Sequence, residues 1–501
     1  MFRLRRIGID TQAEHVVFLH RNAVEKGRLG LKPLDRVRVI SASEEGAPER
    51  EIQGILNFCY DELVAEDEIG LSESAFRDLD VLEGTLLQAA LAAPPESVAR
   101  VRDKLGGSRL ERSDFDAILS DVVHHRYSKV ELSMFVLACA LQRLDVEELI
   151  DFTKAMIDRG TQLSFPGRPV VDKHCIGGIP GNRTTMILVP ILAACGLTIP
   201  KTSSRAITSP AGTADSMGVL ADVALGRERM YEVVERTGGC IAWGGALDLA
   251  PADDVLITVE RPMGIDTEAQ MVASIISKKK AAGATHTLID IPLGDTAKVT
   301  SRQRAHQLGA TFEAVARAVG LQVEIAVTEA NGPVGIGVGP RLEALDVLAV
   351  LDGSPEAPID LREKSLFLAS RILETVGAVA PSQGYVRARE ALDSGAAARK
   401  LHEIIEAQGP KAPLSPAPFR AEVAAVDAGR VALVDCRGIN SLAKLAGAPA
   451  HPAAGLRVLR RPGDGVERGE PLCEIHAQSQ AHLSFALDYA NQHPDIWRFG
   501  S

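Results

Sequence analysis

The chain has 501 residues, enough for about three domains, and its 46% hydrophobic residues can fill more than one core. Its 55 Lys and Arg against 66 Asp and Glu give a net charge of −11, which opposes non-specific binding to nucleic acid. The N-terminus has no signal-peptide pattern, and the longest apolar stretch, Met186 to Pro200, is shorter than a bilayer span. These features predict a globular, cytoplasmic protein without a membrane or nucleic-acid partner.

The seven cysteines are scattered along the chain and include no C-x-x-C pair. This spacing favours reduced thiols over a zinc or redox site. No Asp, Glu or His cluster has the spacing of a metal site either, so the sequence predicts no metal ligands.

The first 92 residues predict a small β-rich module. Short strand patterns occupy Arg36 to Ile40, Glu51 to Cys59 and Val81 to Leu87, with turn residues between them. Pro94 and Pro95 then interrupt the pattern, because proline lacks an amide donor and disfavours helix before it. A domain boundary is expected at this proline pair.

Residues 97–160 predict a helical lobe. Ser128 with Glu131 and Asp145 with Glu148 have the spacing of capping boxes, and Gly160 suits a helix end. A further segment of about 253–281 is assigned to the same lobe.

Residues 165–252 and about 282–405 predict an α/β domain. Apolar runs at Pro169 to Val171, Leu288 to Ile291 and Val323 to Val327 alternate with helical segments, which is typical of a mostly parallel central sheet. After a proline-rich stretch, residues 418–501 predict a small C-terminal α+β domain.

A glycine-rich loop follows the strand pattern at Val170 and Val171 and runs into the apolar helix pattern of Met186 to Cys195. Glycine lets the backbone approach an anion closely, and the unpaired amides at a helix N-terminus favour negative charge. The residues of this region that suit an anion are a lysine, three glycines and two threonines: Lys173, Gly177, Gly178, Gly181, Thr184 and Thr185. It predicts an anion site, although three glycines also occur in loops that only form a tight connection.

A second loop, Lys201 to Asp215, concentrates two cations and six hydroxyls in 15 positions. Two donor-rich loops after successive strands can meet at the carboxyl edge of a parallel sheet, where a phosphate-sized ligand fits between them. Hydroxyl-rich loops are also often only solvated turns. The glycine spacing matches neither the ATP-binding P-loop nor the dinucleotide fingerprint, which makes ATP or NAD a less suitable ligand.

A third segment places Ser274 and Lys278 one helical turn apart, so both can face one ligand. The alternative is a solvated basic end of a helix before Gly283.

Together the three segments resemble the thymidine and pyrimidine-nucleoside phosphorylase family over roughly residues 97–500. The family pattern is D-K-H-S-x-G-G, a Ser/Thr-rich loop and S-I-x-x-K, and here it is met by Asp172-Lys173-His174, Gly177-Gly178, the second loop, Ser274 and Lys278. The variants G-G-x-P-G-N and K-T-S-S-R-A-I-T-S resemble the branch that includes AMP phosphorylases and type-2 thymidine phosphorylases.

The resemblance implies a phosphate site and a nucleobase site. The implied phosphate-binding residues are Lys173, Cys175, Gly177, Gly178, Thr185, Ser203 and Thr213. The implied nucleobase-binding residues are His174, Ile207, Arg261, Ser274 and Lys278, of which His174, Arg261 and Lys278 are the expected catalytic residues. There are three departures from the family pattern: Cys175 replaces the usual serine, one residue is inserted within Ile179 to Arg183, and aligning Arg261 requires a two-residue gap.

The expected reaction is phosphorolysis of thymidine to thymine and 2-deoxy-α-D-ribose 1-phosphate by a homo-oligomer, a dimer or larger, with no cofactor beyond the co-substrate phosphate. Three alternatives remain open at this point. They are an AMP phosphorylase that forms ribose 1,5-bisphosphate, a magnesium-dependent phosphoribosyltransferase of the anthranilate type, and a nucleotide-sensing module without catalysis.

Overall fold

The computed structural model describes residues 1–27, 30–41, 49–206, 209–265 and 267–500. The chain divides into two compact units. The first comprises Met1–Gly160 and Ala250–Ser274, and the second comprises Thr161–Leu249 and Ile275–Ser501. Within the described ranges, no helix has both the length and the apolar composition needed to cross a membrane.

The N-terminal module is a closed six-stranded barrel with strand order β1-β5-β2-β4-β3-β6. Alternate residues of its strands point inward and form one apolar core, which includes Leu4, Val37 and Leu56. In chain order its elements are β1 (Phe2–Arg6), β2 (Val16–His20), α1 (Arg21–Lys26), β3 (Arg36–Ser41), β4 (Glu51–Cys59), β5 (Glu68–Leu71), α2 (Glu73–Leu79) and β6 (Leu86–Leu91).

Four helices follow the barrel: α3 (Ser97–Leu105), α4 (Arg112–Val123), α5 (Lys129–Leu141) and α6 (Val146–Arg159). Both predicted capping boxes are confirmed, since Ser128 and Asp145 each accept a hydrogen bond from the backbone of the glutamate three residues later. The helices pack around three buried aromatic rings, with Phe152 lying 5.3 Å from Phe115 and 5.9 Å from Phe135 between ring centroids.

The next segment alternates strands and helices. It contains β7 (Val171–Cys175), α7 (Thr184–Ala194), β8 (Ile199–Ser203), α8 (Thr213–Met217), α9 (Arg227–Thr237) and β9 (Gly239–Trp243). The chain then forms α10 (Pro251–Met263) and α11 (Glu268–Ala281). Helix α10 packs against α4 and α5 of the first unit, and the boundary between the units falls within α11, after Ser274.

The remaining α/β segment comprises β10 (His286–Leu293), α12 (Arg302–Ala318), β11 (Gln322–Glu329), β12 (Gly337–Val338), α13 (Pro340–Leu351), α14 (Ile359–Thr375), α15 (Gly384–Asp393) and α16 (Ala396–Gln408). Strands β11, β10 and β7 pair in parallel, β8 and β9 pair in parallel, and a parallel bridge from Val170 to Thr198 lies between the two groups. The predicted mostly parallel central sheet is confirmed. Helix α7 packs against α14 and α16, which explains why its sequence is apolar on every side.

The C-terminal region is α+β, as predicted. Its elements are β13 (Phe419–Ala424), β14 (Gly429–Val434), α17 (Cys436–Leu445), β15 (Gly455–Val458), β16 (Gly465–Val466), β17 (Pro471–Ala477), α18 (Gln480–Gln492) and β18 (Trp497–Gly500). They form two antiparallel sheets, of order β12-β15-β17-β13 and β16-β14-β18. Strand β12 joins this region although it precedes α13 in the chain.

Two local expectations differ from the structure. The strand predicted at Val81 to Leu87 is wrong, because β6 begins at Leu86 and Gly84 turns the chain with φ +88°. The strand predicted from the apolar run at Pro169 to Val171 lies further along the chain. In the structure it begins at Val171 and ends at Cys175, beside the glycine loop.

Candidate active site

Strand β7, the glycine loop and helix α7 form the predicted strand–loop–helix unit. The three glycines of the loop have positive φ values of +93°, +89° and +72° at Gly177, Gly178 and Gly181. A Cβ atom on Gly181 would lie 2.3 Å from the Val334 carbonyl oxygen, so only glycine fits there. The glycines therefore form the tight connection between β7 and α7 that was the simpler alternative for this loop. They also leave part of the loop backbone without side chains.

Lys173 lies at the centre of one face of the sheet. Its Nζ donates to Thr184 Oγ1 over 2.9 Å and lies 3.5 Å from Asp290 Oδ2 on the neighbouring strand β10. Lys364, on α14, approaches the same Asp290 oxygen to 3.4 Å. Burial opposes ionisation of Asp290, but Lys364 and Lys173 hold its pKa below the usual value. One carboxylate thus fixes two ammonium groups beside the start of α7.

A second charged cluster lies on the other face of β7, because successive side chains of a strand point in opposite directions. Asp172 Oδ1 lies 2.9 Å from Lys201 Nζ, and Asp172 Oδ2 lies 2.9 Å from Lys279 Nζ. All three side chains are buried. Burial raises the pKa of Asp172, but the two ammonium groups overcome this and lower it, whereas burial lowers the pKa of Lys201.

His174 follows in the same strand and is half-buried. Desolvation, and then the positive charges of Lys279, Lys201, Lys173 and Lys278, hold the pKa of His174 well below its usual value. The ring is therefore neutral at pH 7 and offers a neutral N–H donor and one lone pair. A neutral ring can donate a hydrogen bond but does not act as a cationic acid.

The lysines around β7 outnumber the carboxylates. Lys173 and Lys364 share Asp290, and Lys201 and Lys279 share Asp172. This largely buried site therefore holds more cationic side chains than anionic ones. Such an excess favours an anionic ligand, because buried charges need partners.

The second loop is tied to the glycine loop through Arg183. The guanidinium donates to Thr213 Oγ1 over 3.1 Å, and its Nε lies 2.7 Å from Glu343 Oε2. Glu343 also accepts a hydrogen bond from Ser216, and burial raises its pKa. The structure thus brings Thr213 to Arg183 at the end of the glycine loop. Thr185 is buried two residues later, in the first turn of α7.

The exposed part of the second loop is held by Asp215. Its Oδ2 accepts from the backbone amides of Ala206 and Gly212 at 2.6 and 2.9 Å, and its Oδ1 lies 3.5 Å from Arg205 Nη1. The Arg205 guanidinium stacks over the Trp243 ring at 5.0 Å. Ser203, at the end of β8, is half-buried, and Ile207 lies outside the described residues.

Cys175 lies within the glycine loop. Its Sγ accepts from the Asn182 side-chain amide at 3.3 Å and from the Gly177 amide at 3.5 Å. Burial, and then the charge of Asp290, raises the pKa of Cys175, so it is a thiol at pH 7. Its S–H can act as a weak hydrogen-bond donor at the position where the family pattern D-K-H-S-x-G-G has a serine.

The nucleobase residues expected from the sequence fall in both units. Arg261 is exposed in the last turn of α10, and Ser274 is half-buried in α11, and both belong to the first unit. Lys278 is half-buried one turn later and belongs to the second unit, whereas the sequence-based assignment placed it in the helical lobe. The positive charge of Lys278 helps to lower the pKa of His174 on β7.

Sequence reasoning did not identify the carboxylates that position the lysines or the arginine. Asp290 and Glu343 are both almost completely buried, and Lys364 lies far along the chain from β7. A signal was present for Asp290, because an acidic residue inside the apolar strand Leu288 to Leu293 needs a buried partner. No comparable signal distinguishes Lys364 from a surface lysine.

Comparison with known proteins covers nearly the whole chain. The model described as glycosyl transferase family, helical bundle domain matches residues 98–160, and the glycosyl transferase family, a/b domain matches residues 167–398. The pyrimidine nucleoside phosphorylase C-terminal domain matches residues 430–496.

Two similar proteins illustrate the relationship. The chain is 48% identical to a protein of Methylococcus capsulatus named "Putative thymidine phosphorylase", covering 97% of this chain and 94% of the relative. It is also 48% identical to "Putative thymidine phosphorylase 1" of an Acidovorax species, covering 99% of this chain and 96% of the relative.

Among solved structures, the chain is similar to anthranilate phosphoribosyltransferase from Thermus thermophilus. The TM-score is 0.52 at 20% identity, over 62% of this chain and 98% of that one. At this identity the likeness shows a shared fold and no more.

Proposed function

We propose that this chain, which belongs to the thymidine and pyrimidine-nucleoside phosphorylase family, catalyses the phosphorolysis of thymidine. Family membership makes it a pentosyltransferase. The observation that carries the choice of phosphate as acceptor is the glycine loop bounded by Lys173 and Thr184, within a cluster in which four lysines share two carboxylates. The names of the relatives support thymidine as the donor.

In the proposed reaction, an oxygen of inorganic phosphate attacks C1′ of the deoxyribose. The bond from C1′ to the base nitrogen breaks, and its electron pair leaves with the base. Positive charge develops on the sugar, where the phosphate anion balances it, and negative charge develops on the base. The base nitrogen takes up the proton that the attacking hydrogen phosphate gives up, so the products are thymine and 2-deoxy-α-D-ribose 1-phosphate.

The proposed phosphate-binding groups are Lys173, the Gly177 and Gly178 amides, Cys175, Thr185, Ser203 and Thr213. Lys173 supplies the charge, and the amides and hydroxyls supply hydrogen bonds to the oxygens without a Cβ atom in the way. No cofactor beyond phosphate is proposed, because the lysines already provide the positive charge that this anion requires. Lys364 supports this arrangement by sharing Asp290 with Lys173.

The proposed nucleobase residues are His174, Ile207, Arg261, Ser274 and Lys278. The neutral His174 ring donates a hydrogen bond to the departing base, a role that contributes typically about 10²- to 10⁴-fold in rate. Arg261 and Lys278 stabilise the negative charge of the base electrostatically. The chain is proposed to act as a homo-oligomer.

The proposal is tested by measuring base release from thymidine, uridine, AMP and CMP in separate reactions, each with and without phosphate. Phosphate-dependent release of thymine is expected. The Lys173→Gln variant should lose this release, and the Lys400→Gln variant, which changes a lysine paired with Glu403 on α16, should keep it.

Each alternative gives a different result. Release from the monophosphates alone would indicate an AMP phosphorylase. Activity only with a diphosphate sugar and anthranilate, lost in chelator, would indicate a phosphoribosyltransferase. Tight binding of a nucleotide without turnover would indicate a sensing module.

A further inference from the structure

Three potential metal ligands from distant parts of the sequence meet in the first unit. His15 lies just before β2, Asp78 is in α2, and His125 lies in the turn after α4. Each offers one ligand atom, and these atoms all lie within 4.8 Å of one another. The cluster therefore connects the N-terminal barrel to the helical bundle within one compact unit.

The hydrogen bonds of His15 fix which of its nitrogens can bind a cation. Its Nδ1 lies 3.1 Å from the Gln53 carbonyl oxygen, and since a carbonyl only accepts, Nδ1 carries the hydrogen. In a neutral ring, Nε2 then has a lone pair. This Nε2 lies 2.8 Å from Asp78 Oδ2, which is also an acceptor. A cation, either a second proton or a metal ion, has to lie between them.

His125 adds a second imidazole to the same carboxylate. Its Nε2 lies 3.8 Å from Asp78 Oδ2, and its ring centroid lies 4.9 Å from that of His15. A proton on His15 would satisfy one contact, whereas a metal ion would use all three groups.

We propose that His15, Asp78 and His125 bind a divalent transition-metal ion of the Zn²⁺ type, which ties the barrel to the helical bundle. Two imidazoles and one carboxylate are a donor set that suits such ions. Bonds of about 2.0–2.2 Å in tetrahedral geometry separate ligand atoms by about 3.4 Å, which lies between the 2.8 and 3.8 Å separations from Asp78 Oδ2.

The surroundings fit this assignment. The bond from His15 Nδ1 to a backbone carbonyl is the usual support for a metal-bound histidine, because it fixes the tautomer and the ring orientation. The Asp78 side chain is 40% exposed, which leaves a path for the ion and room for a water molecule as a fourth ligand.

The test uses the full chain, freed of metal with a chelator and exchanged into chelator-free buffer. Zn²⁺ binding is measured by calorimetry and Co²⁺ binding by visible absorption. We expect one ion per chain and a rise in melting temperature with added Zn²⁺, because an ion that binds only the folded state stabilises it. Asp78→Asn and His125→Asn should each weaken binding at least tenfold and abolish the rise.

Matched controls are Asp80→Asn and His124→Asn, which change neighbouring residues outside the cluster and should bind the ion like the unchanged chain. Asp78 and His125 are chosen because they are less buried than His15, and circular dichroism shows whether each variant folds. If the unchanged chain binds no ion, the pair is a protonated His15 with Asp78 and the proposal is wrong. Equal binding by the unchanged chain and His125→Asn would also overturn it, because the ion would then lie elsewhere.

Discussion

Lys173 Nζ donates to Thr184 Oγ1 over 2.9 Å, which joins the strand before the glycine loop to the first residue of the helix after it. Asp290 lies 3.5 Å from the same ammonium group. The lysine is thereby held at a helix N-terminus, where the helix dipole and the free amides also favour an anion.

Gly181→Ala should impair both stability and phosphate use. Its φ is +72°, and the new Cβ would lie 2.3 Å from the Val334 carbonyl oxygen, so the loop must move. We expect a KM for phosphate raised at least tenfold and a lower melting temperature. Gly167→Ala is the matched control, because Gly167 also has a positive φ, +80°, but its Cβ would have no neighbour within 4 Å. Equal effects of the two changes would contradict the proposed role of the close contact.

Asp172→Asn should destabilise the second unit by about 3–5 kcal/mol at pH 7, because it leaves Lys201 and Lys279 buried without their counter-charge. The exposed Asp80, paired with Arg50, provides the control, and Asp80→Asn should cost about 1 kcal/mol or less. The measurement is unfolding in urea followed by circular dichroism. A loss no larger for Asp172→Asn than for Asp80→Asn would show that the buried cluster does not need its carboxylate.

The same carboxylate predicts a pH dependence. The folded-state pKa of Asp172 is lowered from 3.8, so its stabilisation is fully present above the unfolded pKa and is lost as pH falls through the lower folded pKa. The difference in melting temperature between the unchanged chain and Asp172→Asn should therefore not shrink between pH 7 and about pH 5, and it should shrink below about pH 4. A difference that shrinks between pH 7 and pH 5 would assign the effect to another group.

His174→Ala should lower kcat for thymidine by about 10²- to 10⁴-fold, while His174→Gln should retain more activity than His174→Ala. The reason is that the lysines keep the His174 ring neutral, and a glutamine amide also supplies a neutral N–H donor. His306→Ala, at an exposed position of α12, serves as the control and should leave kcat unchanged. Equal losses in the Ala and Gln variants would argue that the ring must carry a proton.

Cys175→Ser should lower the KM for phosphate by about 2- to 10-fold, because a hydroxyl is a stronger donor than a thiol and a hydrogen bond is worth about 0.5–1.5 kcal/mol. Steady-state kinetics with varied phosphate measure this effect. Cys195→Ser changes a half-buried thiol at the end of α7 and should have no effect. A raised KM for Cys175→Ser would mean that the loop is fitted to sulfur.

The sequence predicted the fold well where the pattern is local. Capping boxes, the strand–loop–helix unit and the parallel sheet depend on neighbouring residues, and the structure confirms all three. The start of β6 could not be placed from Val81 to Leu87, because pairing with β3 and β1 decides which residues of that run form the strand.

The candidate site was predicted only in part, for a similar reason. Lys173 and His174 stand out through their motif, whereas Asp290, Lys364 and Glu343 reach their partners only through the tertiary fold. The same limit applies to His15, Asp78 and His125, whose spacing along the chain resembles no metal motif. Which of two adjacent strand residues faces which cluster also becomes clear only once the sheet is built.

The central claim is tested most directly by following thymidine and inorganic phosphate with ³¹P nuclear magnetic resonance in the presence of the chain. The account predicts that the phosphate signal falls while a sugar 1-phosphate signal rises, and that one sugar 1-phosphate forms for each thymine released. Release of thymine together with free deoxyribose, or the absence of any thymine, would contradict phosphorolysis at the Lys173 loop.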